Sequence, residues 1–188
     1  MTSSDFLAAL HRTVADLRTT VQTEFLPLTS VVLNQRPAPS NWSILECLEH
    51  LNRYSRYYNA ALAKSLAKVS VTSKPSAEVG YTWLGRKSVD MMHPTNTKKQ
   101  ATLKHMNPLG SCLGLEVLGE FDQHQARLLE LLVAAQAVDL NRKAVPVEFF
   151  RLLKLRVGEA LEFVVVHQQR HLQQAQRVRA ALQVELAC

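Results

Sequence analysis

The 188-residue chain is 47% hydrophobic and 20% charged with 6 glycines and 7 prolines, which excludes disordered, collagen-like and low-complexity classes. That length suits one domain over residues 1–188, large enough to hold a core without staples. The net charge of +6 is unevenly spread, with residues 105–141 acidic between basic flanks, and aromatics are only 6%; this is the pattern of complementary packed helices, and nucleic acid is not expected as a partner.

The first predicted element is a helix with Leu7, Leu10, Val14, Leu17 and Val21 on one seam. Pro27 should end or kink it, with room for another turn or two over Leu28 to Leu33 before the breaker cluster Asn34 to Asn41. Ser43 followed by Glu46 is a capping box and opens a second helix, whose buried face runs from Ile44 through Leu48, Leu51, Tyr54, Tyr58 and Leu62 to Leu66. Residues 69 to 113 are rich in proline and glycine. A structureless stretch of that length is uncommon, so an ordered crossover with a short helix near Trp83 to Met92 is expected. The third long helix should cover about Leu115 to Val138 and the fourth about Val147 to Ala181. Strand-type alternation is not evident, and Val69 to Thr72 is too short to count. The expected architecture is all-α, a four-helix bundle with one long connection between helices two and three.

No apolar run reaches the roughly 20 residues of a membrane span, and the N-terminus lacks a basic segment followed by an apolar one. No membrane association and a cytoplasmic location are therefore expected. Cys47, Cys112 and Cys188 are odd in number, far apart and without a CxxC, which argues against a disulfide framework or a thiolate zinc site.

Of seven histidines, His167 and His171 stand out, because a spacing of four on a helix puts both imidazoles on one face within reach of one ion. Gln168 stands where a zincin protease needs its glutamate base, and no Glu-x-x-His pair of the di-iron bundles occurs. His50 lies near the apolar seam of the second helix, where an unpaired imidazole is costly; a metal or a hydrogen bond would offset that cost.

The stretch Trp42-Ser43-Ile44-Leu45-Glu46-Cys47-Leu48-Glu49-His50-Leu51 resembles the W-S-x-x-E-x-L-x-H-L signature of the DinB/YfiT-like family. His167-Gln168-Gln169-Arg170-His171-Leu172-Gln173-Gln174 is similar to that family's closing H-x-x-x-H-x-x-Q. The resemblance implies a bundle with the long crossover and a divalent metal, whether zinc, nickel or iron, on His50, His167 and His171. It further implies a homodimer and a small-molecule substrate, with a low-molecular-weight thiol as one candidate.

Three neutral imidazoles leave a coordination position open, as catalytic zinc sites do. Water there would support hydrolysis, and a thiolate would support transfer. Glu46, one turn before His50, is the nearest candidate base, but its capping role is the better explanation. Gln174 could orient a ligand or be solvated, and Tyr54 and Tyr57 could line a pocket or be core. The readings left open are a metal-dependent transferase or hydrolase and a non-catalytic metal- or ligand-binding stress-response bundle.

Overall fold

A computed structural model describes residues 1–68, 74–98 and 100–182. Four long helices form the bundle: α1 (Ser3–Glu24), α3 (Ile44–Ala67), α5 (Glu116–Ala135) and α6 (Val157–Ala181). A short α2 (Ser30–Asn34) follows α1, while α4 (Trp83–Met92) and a 3-10 turn at Lys104–Met106 lie in the crossover. The short stretch Val69–Thr72 lies outside the described residues, as does Cys188.

Helix direction can be read from the side chains that join the helices. Asn52 bonds the carbonyl of Val117, Arg56 pairs with Glu120, and Asn59 bonds the carbonyl of His124, so α3 and α5 run parallel. Between α3 and α6 the order reverses, with His50 beside His167 and Tyr58 against Phe163. Along α1, Thr13 shares a groove with Gln169 and Glu24 holds Gln176 and Arg179, so α1 and α6 are parallel. The bundle is therefore up-down-down-up, and the long connection between the second and third helices of the bundle follows from it.

The fourth helix differs from expectation at its start. It begins at Val157, and the residues before it form an antiparallel hairpin, β1 (Lys143–Val147) and β2 (Phe150–Arg156). Val145, Val147 and Leu155 are buried, while Phe149 to Lys154 are all exposed. Register shifts between Lys143 and Val145, and again between Pro146 and Val147, break the two-residue alternation that would have announced strands. Tertiary contacts favour the hairpin: Ser65 donates to the carbonyl of Ala144 and Tyr57 to that of Pro146.

The crossover is fastened along its length. At the start of α6, Glu159 caps its own helix by accepting from the Arg156 N–H and also accepts from the Thr82 N–H at the head of α4. A Cβ at Gly85 would fall 2.0 Å from the Glu159 carboxyl carbon, so glycine permits this close approach. Farther on, the Arg170 guanidinium bonds the carbonyls of His93, Asn96 and Lys98.

The capping box at Ser43 and Glu46 is present as expected, and its carboxylate does more than cap. Glu46 is fully buried, is gripped at both oxygens by Arg36, and accepts from the N–H of Gly110. Burial alone would raise this carboxyl, but the hydrogen bonds from Arg36, Ser43 and Gly110, with the Arg36 charge, hold it below its ordinary value. Its folded value lies under the unfolded one, so the stability it contributes is full above about pH 4.5 and is lost as pH falls through the folded value. Melting temperatures measured from pH 6 down to pH 3 should decline for the wild type, and Glu46→Gln should flatten that decline; an unchanged slope would contradict it.

Candidate metal centre

His50 enters from the second turn of α3, and His167 and His171 from successive turns of α6. The antiparallel α3–α6 packing brings them together, with one ring nitrogen from each within 4.8 Å of the others. The Nε2 atoms of His50 and His167 are 3.2 Å apart. Two nitrogens that each lie 2.0–2.1 Å from a tetrahedral ion are separated by about 3.3 Å, so this pair already has the spacing of a shared zinc. The donor set therefore fits a divalent cation.

Ring orientation is fixed from behind. The Nδ1–H of His50 donates to the carbonyl of Met106 at 2.8 Å, which leaves Nε2 as the lone-pair nitrogen facing the other rings. Gln174 Oε1 lies 3.0 Å from Nδ1 of His171 and does the same for that ring. Gln174 is thus an orienting partner of His171 and not a solvated side chain. Trp42 stacks on His171 with centroids 5.6 Å apart and tilts against His50 at 4.8 Å. Phe163 lies parallel to the ring of His167 at 5.8 Å.

The apolar shell keeps the three imidazoles neutral. Burial pushes His50 down to about 4, with the Met106 carbonyl only partly offsetting it, and pushes His171 down to about 3. His167 is lowered well below its ordinary value by burial and then by its two histidine neighbours. Neutral imidazole is the ligating form, so these rings need no deprotonation at neutral pH. Cys47, one turn before His50, is buried and its thiol is raised by desolvation, which makes it inert packing.

The two tyrosines occupy different layers. Tyr54 borders the centre, with its ring 4.5 Å from that of His167 and 4.9 Å from that of His50, and burial raises its phenol to about 12. Tyr57 makes its ring contact with Tyr58 and sends its hydroxyl to the hairpin, so it belongs to a wall one layer farther out. Glu148, at the hairpin turn, adds a carboxylate to that wall. His105 holds its Oε1, its backbone N–H reaches the Tyr58 hydroxyl, and its Oε2 has no partner among the described residues. Glu46 is saturated by Arg36, Ser43 and Gly110 and is unavailable as a base.

The role of Met106 carries no sequence signal, because a backbone carbonyl has no residue signature. Glu148 was hidden in a segment that reads as the start of a helix. Trp42 was signalled as the first residue of the W-S-x-x-E-x-L-x-H-L signature, immediately before the capping box, but its stacking on His171 was not. For the metal-free protein, nitrogen-15 NMR should find His50 as the Nδ1–H tautomer at neutral pH. An Nε2–H tautomer would mean that Met106 does not set the ring.

The sequence model of the DinB superfamily matches residues 9–175. The uncharacterized protein YuaE of Bacillus subtilis (strain 168) is 25% identical over 161 residues, covering 85% of this chain and 91% of YuaE. Among solved structures, YfiT from Bacillus subtilis aligns with a TM-score of 0.55 at 14% identity, over 97% of this chain and 89% of YfiT. YfiT is described as a probable metal-dependent hydrolase with an unusual four-helix bundle topology. At that identity the likeness is one of fold.

Proposed function

The chain belongs to the DinB superfamily, and on that premise we propose that its three histidines hold a divalent metal in an enzyme acting on a small molecule. The observation that carries this reading is the convergence of three neutral imidazoles, two of them locked by Nδ1 partners so that a ring nitrogen of each faces the others. Three protein ligands leave a coordination position free, the arrangement of catalytic and not of closed structural sites. A zinc, nickel or iron ion there supplies a Lewis acid that makes a water or thiol at the open position acidic near neutral pH.

The protein's own residues perform the rest. Met106 and Gln174 keep the lone pairs aimed inward, while Trp42, Tyr54 and Phe163 exclude bulk water and keep the local dielectric low. Hydrolysis is the first reading, supported by the description of YfiT and by the Glu148 carboxylate on the tyrosine wall. Transfer involving a low-molecular-weight thiol is the second, supported by a donor set that is all imidazole among the described residues, so that a thiolate would come from outside it. A non-catalytic, metal-stabilised stress-response bundle is the competing class.

Residues 1–188 act as one cytoplasmic domain in this reading, and two copies pair. Pairing is supported by the hairpin, where Phe149, Phe150, Leu152 and Leu153 are all exposed, Leu152 at 83%. Light scattering at micromolar concentration should give about twice the 21.1 kDa chain mass; a monomer would refute the dimer.

His171→Ala should abolish stoichiometric metal binding while leaving helical circular dichroism intact, because the core is formed by apolar residues and not by the site. Gln174→Ala should keep the stoichiometry and weaken affinity about 10–100-fold. Chelation should shift the thermal transition modestly and remove turnover of hydrolytic or thiol-dependent substrates. Collapse of the transition on chelation would favour the structural class instead, and full metal content in His171→Ala would refute the three-histidine centre.

A further inference from the structure

The apolar core of the bundle is divided in two. On α1 the break falls between Val14 and Leu17, on α3 between Leu51 and Tyr58, on α5 between Phe121 and Leu128, and on α6 between Val166 and Leu172. Every buried residue within these intervals is polar: Asn52 and Ser55 on α3, Gln125 on α5, and His167 and Gln168 on α6. A continuous apolar seam would be the ordinary content of a bundle at these positions.

The histidine turns its Nε2 toward the centre already described. The amides do not share in it. Gln125 is 0% exposed and Gln168 2%, yet neither the NH2 nor the carbonyl oxygen of either side chain has a partner among the described residues. Asn52 commits its NH2 to the Val117 carbonyl and leaves Oδ1 unmatched. Five polar atoms in the break between the two halves of the core thus lack a partner among the described residues. Buried amides are satisfied in folded proteins, and where protein groups do not reach them ordered water does, typically with about three hydrogen bonds per molecule.

We infer that this layer is a binding site for ordered water, enclosed between the two halves of the core and backing the histidine centre. Water bridges Gln125 to Gln168, and a further water, nearer Val117, supplies a donor to Asn52 Oδ1. Its position ties it to the site: Gln168 directly follows His167, and Asn52 stands two residues beyond His50. The hydrated layer therefore links the inner faces of the two helices whose adjacent faces carry the histidines. This inference does not depend on a metal being bound.

Replacing each glutamine by the near-isosteric methionine separates a hydrated layer from a dry one. If water bridges the amides, Gln125→Met and Gln168→Met should each lower the melting temperature by about 2–6 °C. The double variant should then lose less than the sum of the singles, because both substitutions break one network. A rise in melting temperature for either single variant would mean that the amides are dry and merely costly, and would overturn the inference. The wild-type protein supplies an independent reading: a crystal structure should show water within hydrogen-bond distance of both glutamine amides. Density with the two amides paired directly to each other, or with no water between them, would overturn it even if both variants failed to fold.

Discussion

The parallel pairing of α3 with α5 is the constraint from which the rest of the structure follows. Asn52, Arg56 and Asn59 reach Val117, Glu120 and His124 in matching order, so the chain leaving α3 must travel the full length of the bundle before α5 can begin. A short turn cannot do this. The return path is laid along α6, where Arg170 and Glu159 hold it, and ends over α3, where Met106 meets His50. The long connection thus reaches the histidine centre because the helix directions require it to return there.

The anchoring of that return path and the orientation of the site are one system. Arg53 bonds the carbonyls of His105 and Asn107, Trp42 donates to the Asn107 side chain, and Glu46 receives the Gly110 N–H. All three anchors flank His50 on or just before α3. Disturbing the cap of α3 therefore loosens the segment that carries Met106, and with it the ring that Met106 aims. Residues that read as ordinary helix-start chemistry act on the centre at one remove.

The chemical character of the centre comes from what surrounds it. Aromatic rings on several sides desolvate the imidazoles, which favours their neutral form and strengthens any electrostatic interaction inside. The nearby potential competitors are removed: Cys47 is held as a thiol by burial, and Glu46 is consumed by Arg36 and two backbone donors. What remains is an all-nitrogen set with a carboxylate, Glu148, set farther out on the tyrosine wall.

The features legible in the sequence were those that depend on neighbours along the chain. The capping box needs only Ser43 and Glu46 three residues apart, and His167 and His171 share a face because a helix repeats every 3.6 residues. The long helices and α4 follow the same local periodicity. The hairpin at 143–156 was not legible, since its bulges erase the alternation and its stability comes from Val145 and Leu155 burying in the core and from Ser65 and Tyr57 bonding β1. Met106 as the partner of His50, Glu148 on the wall and the polar layer at Gln125 and Gln168 were equally invisible. Each depends on groups brought together from distant parts of the chain, so local spacing determined which residues the helices present, and only packing decided what those residues meet.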